Sequence, residues 1–143
     1  MVDGSADGVF RLPRGYAEEI MKHAMEEAPN ECCGILAGKD GEIVRLWRAT
    51  NAEHSPYRYR VDDRELFQIY REIDNNGWDL AAIYHSHVRS EAYPSPTDIS
   101  LAGWPDAIYL LFSLRELEHP ALRGYRIQNG QVTEAELELV EGA

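Results

Sequence analysis

The stretch that most constrains the fold is an apolar run that ends in two histidines. Residues 80–84 read Leu-Ala-Ala-Ile-Tyr, and His85, Ser86 and His87 follow directly. A short continuous apolar run is typical of a strand that is buried on both faces. Side chains two apart in a strand share a face, so His85 and His87 are predicted to project together and Ser86 to point away. The chain is therefore predicted to build a sheet with this strand inside it.

A carboxylate follows the two histidines after a loop over residues 88–94. Ser95, Pro96 and Asp98 form an ordinary helix start, in which Ser95 is the N-cap and the acid lies near the positive end of the helix dipole. A helix start would also hold the Asp98 carboxylate rigidly. Imidazole and carboxylate are ligands that zinc accepts, and three protein ligands leave a fourth position for water. The two histidines and Asp98 are therefore a candidate catalytic zinc site for one ion.

A hydrolytic zinc site also needs a carboxylate that accepts a proton from water and returns it to the leaving amine. The spacing of residues leaves Glu31, Glu53 and Glu91 open for this role. Ser95 has two interpretations as well. It is a helix cap, or it also donates a hydrogen bond to the oxyanion of a tetrahedral intermediate.

Hydrophobic periodicity and turn residues predict the remaining elements. Helices are predicted over residues 13–28 and 64–75, and a short third helix from residue 95 to residue 103 or 105. Strands are predicted at residues 31–38, 42–48, 57–61, 80–87, 107–113, 122–128 and 131–140. Asp-Gly at residues 40–41 and Asn-Gly at residues 129–130 indicate hairpin turns. Because helices separate only some of the strands, we expect an α/β fold with a mixed sheet and flanking helices.

Length and charge exclude several classes of protein. The 143 residues predict a single domain over residues 1–143, with its core at about 9–140. A net charge of −11 argues against nucleic-acid binding, and no apolar run approaches the ~20 residues of a membrane span. The N-terminus lacks the basic and apolar pattern of a signal peptide. The two cysteines, Cys32 and Cys33, are adjacent and cannot staple a fold, so a cytoplasmic protein is expected.

The candidate site residues occur in a pattern that resembles a known family. His85-Ser-His87, seven residues, Ser95, two residues and Asp98, with Glu31 in an upstream Glu-Cys-Cys-Gly-Ile-Leu-Ala-Gly segment, are similar to the JAMM motif of the MPN+ metalloproteases. The chain most resembles the bacterial Mec-type group, the CysO-cysteine peptidases. Further segments also carry the resemblance, which extends from about residue 12 to residue 140: Asn51-Ala-Glu-His-Ser-Pro, Glu91-Ala-Tyr-Pro-Ser-Pro-Thr-Asp98, Pro105-Asp-Ala and Tyr125-Arg-Ile. One departure is Val88, where many members have proline.

The resemblance implies a single MPN domain related in architecture to cytidine deaminase. It implies that His85, His87 and Asp98 bind one Zn²⁺, that Glu31 is the general acid and base, and that Ser95 steadies the oxyanion. Mec-type enzymes release cysteine from the C-terminal Gly-Gly of a small ubiquitin-like sulfur-carrier protein, in cysteine biosynthesis. The expected activity is therefore that of a zinc peptidase acting on such a carrier.

Three other functions are alternatives to this one. The first keeps the zinc and cleaves ubiquitin-like proteins from lysine-linked conjugates, as other family members do. The second is a metal-free scaffold of the same fold, which the complete motif disfavours. The third is a zinc deaminase, which the absence of a Pro-Cys-x-x-Cys segment disfavours. The sequence leaves open whether the chain is a monomer or a homodimer, and which residues grip the Gly-Gly tail.

Overall fold

Seven strands form one mixed sheet in the part of the chain that the computed structural model describes, residues 8–143. The strands are β1 (Val9–Pro13), β2 (Cys33–Lys39), β3 (Glu42–Ala49), β4 (Asp79–His87), β5 (Ile108–Ser113), β6 (Ala121–Gln128) and β7 (Gln131–Val140). Their order in the sheet is β1-β7-β6-β5-β4-β2-β3. The pairs β1–β7 and β4–β5 are parallel, and the other pairs are antiparallel. The predicted mixed sheet is confirmed, and β4, which carries the two histidines, lies inside it.

Three helices cover the sheet within the same residues: α1 (Arg14–Glu27), α2 (Asp63–Asn75) and α3 (Pro96–Leu101). Ile20 of α1 packs in a core layer with Tyr84 and other alternate residues of the central strands. Ile69 of α2 packs in a second layer with Ile83. Because Ile83 and Tyr84 point to opposite faces, both faces of β4 are buried, which explains its continuous apolar sequence.

The turn and capping residues act as their chemistry predicts. Asp40 and Asn129 begin the two hairpin turns, each with a φ of 52°, and each is followed by a glycine with positive φ. Asp62 caps α2, where its side chain accepts a hydrogen bond from the Glu65 amide at 3.1 Å. Pro13 precedes α1 as its N-cap, one residue earlier in the helix than predicted. The bounds of α1 and α2 agree with the sequence to within one residue, whereas α3 ends at Leu101, two to four residues before the predicted end.

Two elements differ from the sequence-based prediction. The strand predicted over residues 57–61 is wrong, because only Val61 pairs there, in an isolated bridge with Asn51. Backbone groups of this segment bond to the Asn51 side chain instead of to a neighbouring strand. Strand β1 was not predicted. It pairs with β7, which lies more than a hundred residues later in the chain, and local sequence gives no sign of such a pairing.

None of the helices within residues 8–143 combines the length and the apolar character that crossing a membrane requires.

Candidate active site

The two histidines and Asp98 come together at the carboxyl end of β4. His85 and His87 project from the same face of the strand, and both are buried. Oδ2 of Asp98, at the start of α3, lies 3.0 Å from Nε2 of His85 and 3.1 Å from Nε2 of His87. The structure thus brings all three predicted ligands to one point, with one carboxylate oxygen between the two imidazoles.

The helix start holds Asp98 in place. The Ser95 amide donates to Oδ2 of Asp98 at 2.9 Å, and Oγ of Ser95 accepts from the Asp98 amide at 3.0 Å, which together form a capping box. Burial alone would raise the pKa of Asp98, but hydrogen bonds from His85 and His87 hold that pKa well below its usual range. The Asp98 side chain is therefore an anion.

His87 is oriented by hydrogen bonds at both ring nitrogens. Nδ1 of His87 donates to the Glu91 carbonyl at 2.8 Å, and Nε2 faces Asp98. Burial lowers the pKa of His87, but the hydrogen bonds to Asp98 and to the Glu91 carbonyl outweigh it and raise the pKa overall. A proton on Nδ1 leaves the Nε2 lone pair for a metal once the Nε2 proton is displaced.

The Glu91 carbonyl belongs to the loop over residues 88–94, and hydrogen bonds also hold the carbonyls of the residues before and after it. The Ser113 hydroxyl donates to the Ser90 carbonyl at 2.6 Å. The Tyr125 hydroxyl donates to the Ala92 carbonyl. With the bond from His87, three consecutive carbonyls are held by side chains of β4, β5 and β6.

His85 is held in a different way. Its ring stacks on the ring of Tyr59, with 4.2 Å between centroids and 18° between planes. Among the described residues, no hydrogen-bond partner faces the buried Nδ1 of His85. Burial lowers the pKa of His85 below its ordinary value, against the opposing effect of Asp98. Tyr59 was not singled out from the sequence.

Glu31 is the predicted base that the structure brings to the site. One ligand atom from each of Glu31, His85 and His87 lies within 4.8 Å of the others. The residue is 3% exposed, and its Oε1 has no hydrogen-bond partner among the described residues. Burial raises the pKa of Glu31 to about 8, with a smaller contribution from the charge of Asp98 and an opposing one from His87. A carboxyl with such a pKa suits proton transfer near neutral pH.

The other two candidate bases lie at the surface. Glu53 forms ion pairs with Arg58 and Arg60. The Glu91 side chain is 72% exposed, and its nearest charged partner is Arg115. Spacing in the sequence could not select Glu31 over these two acids, because it is the pairing of β2 with β4 that brings residue 31 beside residues 85 and 87.

The donor set fits a divalent metal ion. The three atoms at the centre, Nε2 of His85, Nε2 of His87 and Oδ2 of Asp98, include separations of 3.0 and 3.1 Å. Tetrahedral zinc with bonds of about 2.0–2.1 Å has its ligand atoms about 3.3 Å apart, so a small adjustment would accommodate the ion. A buried, unpaired Glu31 oxygen beside them is the kind of group that faces a metal-bound ligand or an ion.

Two further residues support the site without having been predicted as part of it. Asn51 is buried, and its Nδ2 donates to the Glu31 carbonyl at 3.0 Å. The Ser86 hydroxyl accepts from the Cys32 amide at 2.8 Å on the opposite face of β4, as the alternation of the strand predicts. Asn51 begins one of the segments that carry the family resemblance, but its residue type and turn-rich surroundings alone did not distinguish it from an ordinary loop residue.

A partly apolar cavity of about 250 Å³ adjoins Asp98. Tyr59, Leu66, Leu101 and Trp104 contribute to its walls. There is therefore open space beside Asp98.

Comparison with characterised proteins gives relatives that share most of the chain. The CysO-cysteine peptidase of Mycobacterium tuberculosis is 44% identical over 124 residues, which are 85% of this chain and 85% of the relative. A probable TtuB-protein conjugate cleaving protease of Thermus thermophilus is 39% identical over 97 residues, 67% of this chain and 65% of that protein. The resemblance inferred from the motif is confirmed.

Solved structures and a family profile agree with these relatives. A Desulfitobacterium hafniense protein of known solution structure matches with a TM-score of 0.82 and 32% identity over 94% of both chains. A JAB1/MPN domain protein from Archaeoglobus fulgidus shares the fold, with a TM-score of 0.59 and 19% identity over 92% of this chain and 96% of that one. The profile of prokaryotic homologues of the JAB domain matches residues 13–127. The chain therefore belongs to the family of prokaryotic JAB-domain proteins.

Proposed function

We propose that this protein is a zinc peptidase that hydrolyses the bond after the C-terminal Gly-Gly of a small ubiquitin-like sulfur carrier and releases cysteine. One observation carries the proposal: Glu31, with a pKa raised to about 8, lies beside two imidazoles that share one anionic carboxylate oxygen. Membership of the JAB family and the 44% identity to a CysO-cysteine peptidase support it.

His85, His87 and Asp98 would hold the zinc ion. Bound there, zinc would lower the pKa of a water molecule and polarise the scissile carbonyl. Asp98 supplies the negative charge that offsets part of the charge of the ion, and its capping box keeps the carboxylate from rotating away.

Glu31 would carry the proton. Its unpaired oxygen accepts a proton from the attacking water and delivers it to the leaving nitrogen, which must leave as a neutral amine. The Glu31 backbone is fixed for this task, because its amide donates to the Ser55 carbonyl at 2.9 Å and its carbonyl accepts from Asn51. The backbone that carries the Glu31 side chain is therefore held in place.

Ser95 would stabilise the oxyanion that forms on the substrate. Its Oγ accepts one hydrogen bond, from the Asp98 amide, which leaves the hydroxyl proton for donation. The two interpretations of Ser95 made from the sequence are thus compatible: the same side chain caps α3 and retains a donor for the substrate.

A second function changes only the substrate. The Thermus relative is named for cleavage of TtuB-protein conjugates, and a Haloferax volcanii relative, 35% identical over 103 residues, is named a desampylase. These names favour cleavage of ubiquitin-like proteins from lysine-linked conjugates as the alternative. Both reactions would use the same zinc ligands and the same base.

A direct comparison of substrates tests the proposal. The purified protein is incubated with zinc and either a carrier ending in Gly-Gly-Cys or a lysine-linked carrier conjugate. Mass spectrometry should show the first carrier shortened by one residue, and faster turnover than with the conjugate. Glu31→Gln should slow the reaction by at least about 10²-fold, whereas Glu91→Gln, a change at an exposed acid, should leave it intact. An intact carrier after incubation with zinc-loaded protein would rule out the cysteine-releasing reaction.

A further inference from the structure

The two imidazoles of the site are supported unequally. Nδ1 of His87 donates to the Glu91 carbonyl, whereas no residue among 8–143 offers a hydrogen bond to the buried Nδ1 of His85. A histidine that binds a metal ordinarily donates its outer nitrogen to a carboxylate, carbonyl or water, which fixes the ring. Among the described residues, the orientation of the His85 ring therefore rests on its other contacts.

The face of the His85 ring is covered by Tyr59. The two rings are nearly parallel, with 4.2 Å between centroids and 18° between planes. The edge of His87 is the other aromatic contact of His85, at 5.0 Å and 69°. Rotation of the His85 ring out of its plane, about its bond to Cβ, would break the stack and move Nε2 away from Asp98.

One side chain fixes Tyr59 from both sides along the chain. Nδ2 of Asn51 donates to the carbonyl of Arg58 at 3.0 Å, and Oδ1 of Asn51 accepts from the amide of Arg60 at 3.1 Å. The Ala52 amide also donates to the Arg60 carbonyl at 2.8 Å. Tyr59 lies between these bonds, so its backbone is held in place although it does not belong to a strand. A segment without regular structure can therefore position the Tyr59 ring.

We propose that Tyr59 is a positioning residue for His85: its stacked ring, placed by Asn51, fulfils the orienting role that a hydrogen bond to Nδ1 has at other histidine ligands. The proposal rests on the proposed function, because it requires His85 to bind the metal. It predicts that the aromatic ring of Tyr59, and not its hydroxyl group, determines how tightly the site holds zinc.

Zinc affinity tests this prediction independently of catalysis. The dissociation constant is measured by competition with a chromophoric chelator for the full-length chain and for Tyr59→Phe and Tyr59→Leu. Loss of an outer contact to a metal ligand typically weakens binding by about 10–100-fold, so we expect Y59L to bind zinc about 10-fold more weakly. Y59F keeps the ring, and its dissociation constant should stay within about 3-fold of the original value, since only the hydroxyl is lost.

A matched control variant and a visible spectrum distinguish loss of His85 positioning from a general loosening of the segment around Tyr59. Tyr57, two residues earlier in the same segment, is 71% exposed, and Tyr57→Leu should leave zinc affinity unchanged. The visible spectrum of the Co²⁺-substituted protein reports ligand geometry directly. It should change in Y59L and stay the same in Y59F and Y57L.

Each outcome bears on one statement. Original-strength zinc binding by folded Y59L, or an equal loss of affinity in Y59F, would overturn the role of the ring. Failure of the unsubstituted protein to bind zinc would instead overturn the proposed function. Thermal unfolding in chelator shows whether Y59L is folded; if it is not, Tyr59→Met, which fills the space with a flexible chain, is measured with the same expectation.

Discussion

Glu31 and Asp98 are two buried carboxyl groups of one site, 3% and 8% exposed, whose pKa values are shifted in opposite directions. Glu31 has an oxygen without a hydrogen-bond donor among the described residues, and burial raises its pKa to about 8. Asp98 accepts from the Ser95 amide and from both histidines, and these donors hold its pKa well below the usual range despite burial.

Both groups are buried, so the difference between their pKa values comes from hydrogen-bond donors, which Asp98 has and the unpaired Glu31 oxygen lacks. A carboxylate that accepts several hydrogen bonds stays ionised and suits a cation, whereas one without donors binds a proton readily. Two carboxyl groups with widely separated pKa values are the usual mark of a divided task at an active site. This contrast supports the proposal that Asp98 binds the metal and that Glu31 transfers the proton.

The largest expected effect is that of Asp98→Asn. The variant loses the anionic ligand, so zinc affinity should fall by more than 100-fold, beyond the 10–100-fold cost of losing an outer contact. Zinc content after dialysis and chelator competition measure this, and carrier cleavage should fall to background. Stoichiometric zinc in dialysed D98N would contradict the assignment of Asp98 as a ligand.

Glu31→Gln should separate catalysis from metal binding. Without the proton carrier, kcat should fall by about 10²–10⁴-fold, while zinc affinity changes little. Cleavage rates and zinc content are measured on the same preparation, with Glu53→Gln as a control at an acid that pairs with surface arginines. If E31Q lost its zinc as D98N is expected to do, the two carboxylates would have exchanged roles.

The two carboxyl groups should also give opposite pH dependences of stability in the metal-free protein. Because the folded pKa of Glu31, about 8, exceeds its ordinary value of 4.5, its contribution is present below pH 4.5 and is lost as pH rises to about 8. The free energy of unfolding of E31Q relative to the original chain should therefore rise by up to about 1.4 kcal/mol per pH unit across that window.

Asp98 should behave in the reverse sense. Its folded pKa lies below its ordinary value of 3.8, so its contribution is present above that pH and is lost in acid. Relative to the original chain, D98N should be less stable at neutral pH, and the gap should narrow below pH 3.8. Urea unfolding in the presence of chelator, repeated from pH 3 to pH 8, measures both variants; parallel pH curves for all three proteins would refute the opposite shifts.

Ser95→Ala has the smallest expected effect. Loss of the cap should lower the free energy of unfolding by about 1 kcal/mol. Loss of the oxyanion donor should lower kcat by about 10²-fold, with little change in zinc content. Ser95→Thr keeps a hydroxyl at the same place and should recover most of the free energy of unfolding and most of kcat. An unchanged kcat in S95A would restrict Ser95 to its capping role.

Local patterns predicted the parts of the site that depend on local geometry. Alternation along β4 placed His85 and His87 on one face, and the capping pattern placed Asp98 at a helix start. Neither pattern could select Glu31, since its approach to the histidines depends on the antiparallel pairing of β2 with β4. That choice came from the resemblance to the JAMM motif.

The errors in the fold have a common physical cause. Tyrosine and arginine alternate before Val61 as they would in a half-buried strand, but the partner of this segment is the Asn51 side chain. Strand β1 is likewise determined by β7 at the far end of the sequence. Contacts between distant residues override local preference in both places. The segment before Val61 also provides Tyr59, and sequence periodicity could not show that Tyr59 contacts His85.

The adjacent cysteines follow from the burial of both faces of the sheet. Cys32 lies in the layer under α1 and Cys33 in the layer under α2, and both are free thiols. Burial raises both pKa values, that of Cys32 to about 12, so neither reacts while its layer is closed. The alkylation rate of each thiol therefore measures how often the layer that contains it opens. Because Cys32 and Cys33 lie in one peptide, a single digest would give separate opening rates for the two core layers.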